Sequence, residues 1–384
     1  MRLAAAVLIA AAACNSGSAG PEAKPTTSSP TPSPTPSPSP VASSPASVER
    51  GAALYTKLCA QCHAKDGTGG AADHAPSLVN STFLESATDD FLRRSIRVGR
   101  RGTSMGAYGK VEGGVLDDTG VDDIVAWIRE KGPAPRALPA AGAGDAAAGE
   151  KLYVEYCQTC HGDRGKRGEA IHLANPQFQQ MATDAFVRYA IDKGRPATKM
   201  QGFGSVMSAR QIDDVTAYVR SFGGPEPAFK LLPAPTGTES LVINPKGQEP
   251  RWTPKPDQAG VPRFVSVDEV HKALAAGQKM IIVDARPESE WRSVHVTGAV
   301  SIPYFDVKRI TSIPKDVWVV AYCACPHHLS GIVVDELRKI GHRKAVVLDE
   351  GINVWRRKGY PVVAVEGLPM PPDEPHNHGH DHGH

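Results

Sequence analysis

A chain of 384 residues is too long for one ordinary domain and points to two to four. Lys and Arg number 43 against 41 Asp and Glu, so no global field argues for nucleic acid or a strongly anionic partner. Pro at 33 and Gly at 37 are high for a compact fold, but the Pro excess sits near the N-terminus, which suggests one unstructured segment rather than a fibrous protein.

The chain opens with Arg2 and a short apolar run, Leu3 to Ala13, ending at Cys14. This is the layout of an export signal, and the run is too short to stay in a bilayer as a spanning helix, which needs ~20 apolar residues. A Cys at its end resembles a bacterial lipoprotein signal, which implies a lipidated Cys14 and a membrane anchor. An ordinary cleaved signal and a misassigned start are the alternatives, and all three imply export. Within segment 15–46, the stretch from Gly20 to about Pro45, with T-T-S-S-P-T-P-S-P-T-P-S-P-S-P, has no apolar periodicity and reads as a tether. Extended at about 3.1 Å per residue, it reaches roughly 80 Å from an anchor.

An internal repeat follows, its copies about 98 residues apart. G-A-A-L-Y-T-K-L-C-A-Q-C-H from Gly51 matches G-E-K-L-Y-V-E-Y-C-Q-T-C-H from Gly149. F-L-R-R-S-I-R-V-G-R-R-G-T-S-M-G-A-Y-G from Phe91 matches F-V-R-Y-A-I-D-K-G-R-P-A-T-K-M-Q-G-F-G from Phe186. Each copy closes on an amphipathic run, V-D-D-I-V-A-W-I-R or I-D-D-V-T-A-Y-V-R. Each therefore reads as a small helical domain, 47–132 and 145–223, joined by a linker at 133–144.

Cys59-x-x-Cys62-His63 and Cys157-x-x-Cys160-His161 have the spacing for covalent haem attachment. Two thiols form thioethers to the porphyrin, and the adjacent His gives a nitrogen to iron. A redox dithiol or half a zinc site shares only the Cys-x-x-Cys part. A carrier of electrons also needs a soft sixth ligand, and Met sulfur supplies one. Met105 is the only Met between Met1 and Met181; the second copy offers Met181, Met200 and Met207, and the repeat selects Met200. His74 and His172 are alternative ligands that do not align between copies. On these motifs the region resembles tandem class I c-type cytochromes. The resemblance implies two covalently bound c-type haems in all-helical folds, each largely buried with one exposed edge. Electrons pass through that edge, and the implied partners are redox donors and acceptors of a respiratory chain.

Beyond a second Pro/Gly-rich stretch, 224–260, short branched runs (M-I-I-V-D, V-W-V-V-A-Y, K-A-V-V-L-D) alternate with helical stretches. That alternation predicts a parallel sheet covered on both faces. V-D-A-R-P-E-S-E-W from Val283, H-V-T-G-A from His295, a strand leading into Cys323, and L-D-E-G-I-N-V-W from Leu348 make 261–367 resemble a rhodanese domain. That family moves sulfane sulfur through a cysteine persulfide. A Cys between a strand and a helix N-terminus meets converging N–H groups and the positive end of the helix dipole, which stabilise a thiolate. In the loop C-A-C-P-H-H-L-S the place after the strand favours Cys323 as nucleophile, with Cys325 the alternative. The loop lacks the Arg of many thiosulfate-using members; His327 and His328 are its basic substitutes. Cys-x-Cys-Pro-His-His also suits a soft metal such as Cu(I) or Zn, and a non-catalytic docking module is a further reading. The tail 368–384, ending H-N-H-G-H-D-H-G-H, reads as solvated or weakly chelating.

The expected fold is therefore two all-α cytochrome c domains followed by an α/β rhodanese-like domain with a parallel sheet. The expected function is dihaem electron transfer at the periplasm or cell envelope, coupled to a sulfane-sulfur donor. A plain carrier with a docking domain and a sulfurtransferase with redox-sensing haems are the alternatives.

Overall fold

Short polar caps set the helices of both repeats. Helix α1 (Pro45–Leu58) starts on a reciprocal Ser44–Ser47 capping box, with Pro45 in the first turn where its missing N–H costs nothing. α2 (Ala60–His63), α3 (Ser81–Ser86), α4 (Asp89–Val98) and α5 (Asp118–Arg129) complete the first unit. The second repeats them as α6 (Ala146–Tyr156), α7 (Gln158–His161), α8 (Pro176–Met181), α9 (Asp184–Lys193) and α10 (Ala209–Arg220). Asn80 and Thr88 cap α3 and α4; Asn175 and Thr183 cap α8 and α9 in the same way. The computed structural model describes residues 44–70, 72, 74–224, 230–324, 327–368 and 370–371. Cys14, the tether, Cys325 and the His-rich tail lie outside them.

The terminal helices of each unit cross at a glycine. A Cβ on Gly51 of α1 would lie 1.9 Å from the Asp123 carbonyl of α5, and one on Gly149 of α6 would lie 2.0 Å from that of Asp214 in α10. Only glycine permits so close a backbone approach.

The two units share one apolar core, in which Phe91 and Phe186 stack at 5.0 Å. A reciprocal clasp holds them together. Asn80 Nδ2 donates to Pro196 O (2.7 Å) and Thr82 Oγ1 to Gly194 O (2.7 Å). In return, Asn175 Nδ2 donates to Arg101 O (3.0 Å) and Gln177 Oε1 accepts from Arg101 N–H (3.1 Å). Each unit thus grips the loop that follows α4 or α9 of the other.

The last region is a layered α/β fold, as expected. Its strands are β1 (Lys255–Pro256), β2 (Pro262–Val265), β3 (Ile281–Asp284), β4 (Val294–Val296), β5 (Val300–Ser301), β6 (Val319–Tyr322), β7 (Ala345–Leu348) and β8 (Val362–Ala364). The main sheet runs β1-β2-β7-β6-β3-β5 and is parallel except for β1 on β2; β4 and β8 form a separate antiparallel pair. α11 (Val267–Ala275), α12 (Glu288–Trp291), α13 (His328–Lys339) and α14 (Gly351–Arg357) complete it. Alternate strand residues feed two cores: Ile281, Val283, Val319 and Ala321 on one face, and Ile282, Val320, Tyr322 and Val346 on the other. Burial of both faces explains the uninterrupted apolar runs.

Part of the Pro/Gly-rich stretch 224–260 packs on this sheet. Ile243 N–H donates to Met280 O (2.8 Å), Trp252 meets Trp318 edge-on, and Lys255–Pro256 form β1. Its scattered apolar residues, Leu241, Val242, Ile243 and Trp252, supply that contact despite a linker-like composition.

Candidate functional site

α1 ends at Cys59, whose N–H donates to Tyr55 O (2.8 Å), and the chain turns at once so that Cys62 and His63 N–H both donate to Cys59 O (3.1 and 3.0 Å). The second unit repeats this: Cys157 N–H reaches Tyr153 O (2.8 Å), and Cys160 and His161 reach Cys157 O (3.2 and 2.9 Å). One tight turn therefore presents two thiols and an imidazole in each unit. Tyr55 Oη donates to Ala64 O and Tyr153 Oη to Gly162 O, both at 2.8 Å, tying the turn back to the helix.

The imidazoles are oriented by backbone. His63 Nδ1 lies 2.9 Å from Pro76 O and His161 Nδ1 3.0 Å from Ile171 O. A carbonyl can only accept, so Nδ1 carries the proton and Nε2 keeps a lone pair for a metal. Burial lowers the pKa of both rings, favouring this neutral form. It also pushes the Cys59 thiol up to about 12 and the Cys157 thiol up to about 11. All five described cysteines are free of disulfides.

The two methionine loops are built alike. Arg100 N–H donates to Met105 O (2.7 Å), Thr103 Oγ1 to Arg100 O (2.7 Å) and Met105 N–H to Thr103 Oγ1 (3.1 Å). Arg195, Thr198 and Met200 repeat these bonds at 2.7, 2.7 and 3.1 Å. Both methionines are half-buried. The competing residues are used elsewhere or face water: Met181 sulfur meets Arg100 Nη1 (3.3 Å), Met207 is in the core, His172 Nε2 meets Asp163 O (2.9 Å), and His74 is exposed.

Sequence reasoning passed over Arg100 and Arg195, although the repeat aligns them. Both reach across the clasp, Arg100 to Met181 and Arg195 to Thr82 and Ser86, and Arg195 lies over the Phe186 ring. No carboxylate among the described residues pairs with either, and burial pulls both guanidinium pKa values down to about 10. A buried cation without a counter-ion is costly. Two thiols, an oriented imidazole, a thioether loop and unpaired buried cations together suit a covalently held haem, whose propionates carry the missing negative charge. Among the described residues no three His, Cys, Asp or Glu side chains converge as a metal cage, so the Cys pairs gain no further zinc ligands there.

Cys323 is the residue after β6 and is buried at 1% exposure, its Sγ 3.4 Å from Ser330 Oγ. His327 holds a left-handed φ of 74° just before α13, and its Nε2 is 2.8 Å from Asp349 Oδ1. That contact, with Lys255 also in reach, keeps the Asp349 carboxyl below its usual range. An open cleft of about 890 Å³ runs beside the loop, lined by Lys255, Arg263, Phe264, His327, His328 and Asp349 among others. Asp284 and Arg286 of the Asp-x-Arg motif form a buried pair (2.9 and 2.6 Å) that also engages Val294 O and Tyr322 Oη. They brace the ends of β3, β4 and β6.

Residues 46–128 and 144–219 match the family of cytochrome c oxidase, cbb3-type, subunit III, and residues 266–358 match the rhodanese-like domain. The chain carries c-type cytochrome domains and a C-terminal rhodanese-like domain. The cofactor of the former is covalently bound c-type haem. The chain is similar to the cbb3-type cytochrome c oxidase subunit FixP of Bradyrhizobium diazoefficiens, 30% identical over 46% of this chain and 61% of that one. The subunit CcoP of Rhodobacter capsulatus is 28% identical over 45% and 62%. This chain thus spans about three fifths of the length of these relatives. Among solved structures, the reducing HAO-like protein complex Kustc0457/Kustc0458 of Kuenenia stuttgartiensis aligns with 48% of this chain and 99% of that one, at 18% identity and a TM-score of 0.34.

Proposed function

We propose that this chain is an exported dihaem cytochrome that passes electrons between redox proteins of a respiratory chain and handles sulfane sulfur at its rhodanese-like domain. One haem is held by Cys59, Cys62, His63 and Met105, the other by Cys157, Cys160, His161 and Met200. The observation that carries this reading is the duplicated turn, in which a backbone carbonyl fixes each histidine with Nε2 free. Bound haem iron supplies one-electron capacity. The protein orients the imidazoles, offers Arg100 and Arg195 to the propionates, and holds the two sites in fixed relation through the Asn80–Asn175 clasp. Lipidation of Cys14 accounts for membrane attachment at the cell envelope; among the described residues no helix is long and apolar enough to cross a membrane.

At the rhodanese-like domain, a persulfide R–S–S⁻ passes its outer sulfur to the thiolate of Cys323, or of Cys325, and leaves as R–S⁻, with no net gain or loss of electrons. The deep burial of Cys323 favours a second reading, in which this domain only docks and covers. The test is the visible spectrum of the oxidised protein as sulfide, thiosulfate or glutathione persulfide is added, beside Cys323→Ser and Cys325→Ser. Haem reduction that needs either cysteine supports sulfur-coupled electron transfer. Equal reduction in all three proteins, or none, leaves a dihaem carrier with a docking domain.

A further inference from the structure

Each helical unit commits two side chains to the other unit's methionine loop. Loops 99–105 and 194–200 are closed rings. In addition to the Arg100–Met105 and Arg195–Met200 bonds, a Cβ on Gly99 would lie 2.5 Å from Met105 O, and one on Gly194 would lie 2.6 Å from Met200 O. Both positions hold glycine in the left-handed region, with φ of 65° and 64°. Whatever fixes the start of such a ring fixes the methionine that closes it.

The second ring is held at two carbonyls, Gly194 O by Thr82 Oγ1 and Pro196 O by Asn80 Nδ2 (2.7 Å each). The first is held at Arg101, whose carbonyl accepts from Asn175 Nδ2 (3.0 Å) and whose N–H donates to Gln177 Oε1 (3.1 Å). Each holder is matched to its ring. Pro196 stands where the first ring has Arg101 and carries no N–H; correspondingly, the acceptor Gln177 is replaced by a donor, Thr82. Asn80 and Asn175 use both ends of one amide: Oδ1 accepts from Phe83 or Phe178 N–H (3.2 and 3.1 Å) while Nδ2 reaches across. Asn80, Asn175 and Gln177 are all buried. The same segments also serve their own units. Pro76 O, which orients His63, lies four positions before Asn80, and Ile171 O, which orients His161, lies four positions before Asn175. Segment 76–82 therefore bears on the imidazole of the first site and the methionine of the second, and segment 171–177 does the converse.

We propose that Asn80 and Thr82 are positioning residues for Met200, and Asn175 and Gln177 for Met105, so that each unit sets how firmly the other keeps its sixth iron ligand. A thioether is a neutral, weak ligand, and it stays on a metal to the extent that its loop is held in place. The first site has further support from the rhodanese-like domain: Ser289 Oγ donates to Ala107 O (2.6 Å), and Tyr304 Oη to Leu58 O (2.6 Å) beside Cys59. Leu58 is 3% exposed, against 44% for its counterpart Tyr156. Met200 is therefore the ligand that depends more on the clasp. The inference rests on the dihaem reading above, with Met105 and Met200 on iron.

The test is displacement of methionine by added imidazole in the oxidised full-length holoprotein, followed through the weak far-red absorption of methionine-ligated ferric haem. Met105→His leaves that absorption to the second unit and Met200→His leaves it to the first, so each site is read alone. In the Met105→His background, Asn80→Asp with Thr82→Val is expected to let imidazole displace Met200 at about tenfold lower concentration. Asp keeps the helix cap and loses the donor to Pro196 O. Thr82→Val alone adds no charge and nearly keeps the shape; it is expected to give about threefold, and it carries the test should the double variant fail to hold its haem. In the Met200→His background the Asn80 and Thr82 variants are expected to leave Met105 unchanged, while Asn175→Asp lowers the displacing concentration about twofold. No change at Met200, equal changes at both methionines, or a change confined to the variant's own unit overturns the proposal. A background variant that keeps the whole far-red band, or a holoprotein with fewer than two haems by pyridine haemochrome, fails the dihaem reading instead.

Discussion

The two helical units share a skeleton and differ in what lies on it. Their Cys-x-x-Cys-His turns and methionine loops keep corresponding bonds to within a few tenths of an ångström. The outer residues diverge at once: Leu58 against Tyr156, Gly106 against Gln201, Tyr108 against Phe203. Interior geometry answers to the ligand each unit must hold, while the face answers to whatever covers it. One copy has become a seat for a neighbouring domain and the other has not.

The largest test of this comparison removes the attachment thiols from one unit at a time. Cys59→Ala with Cys62→Ala is expected to halve the haem content per chain, and Cys157→Ala with Cys160→Ala to do the same, read by pyridine haemochrome. Loss of both haems from either double variant would show that the units do not load independently. A smaller effect probes the helix crossings. Gly51→Val and Gly149→Val each force a side chain into backbone that would lie within 2.0 Å of a Cβ, and each is expected to cost about 3 kcal/mol in urea denaturation. Unequal costs would mean that the shared skeleton is not equally strained.

A third substitution separates the two faces. Tyr304→Phe removes the bond to Leu58 O and the contact with Tyr108 Oη, and is expected to cost about 1 kcal/mol and to raise radical labelling of Tyr108. Tyr156→Leu, which makes the second face resemble the first, is expected to leave stability within about 0.5 kcal/mol. A loss as large as that of Tyr304→Phe would break the distinction between a covered and an open face.

The fold class and the candidate haem ligands were legible because their signals are local. A three-residue spacing puts two thiols and an imidazole on one turn, and alternating strand and helix patterns specify a layered sheet. What escaped depends on contacts distant in sequence. Tyr304 lies 246 residues from Leu58, and nothing in its surroundings marks it as a donor to the first unit. Arg100 and Arg195 were visible as aligned residues, but that no carboxylate among the described residues pairs with them appears only when the clasp is assembled. The apolar residues of 224–260 were outweighed by Pro and Gly, and the burial of Cys323 follows from packing above β6 that no strand pattern reveals.

The smallest expected effect contrasts the rhodanese-like domain with the helical units in acid. His342, just beyond α13, is buried at 1% exposure, and neither ring nitrogen finds a partner among the described residues. Burial, and then the charge of Lys315, lowers its pKa from the ordinary value near 6.5. The unfolded chain therefore takes up a proton near pH 6.5 that the folded chain resists until lower pH. In that window the unfolded state binds more protons, so stability rises with pH; it is complete above 6.5 and is lost as pH falls through the folded value. His295 acts in the same direction: burial lowers its pKa, and the Nδ1–H bond to Trp291 O (2.7 Å) only partly opposes this. Four of the five tryptophans, Trp252, Trp291, Trp318 and Trp355, lie in this part of the chain and the fifth, Trp127, lies in the first helical unit, so in a Trp127→Phe background tryptophan fluorescence follows its unfolding, and the Soret band follows the helical units. Between about pH 7 and 5 the fluorescence transition is expected to move to lower urea more than the Soret transition does. His342→Leu is expected to flatten that shift, because a leucine has no proton to exclude. An unchanged shift in the variant would assign the acid sensitivity to another group.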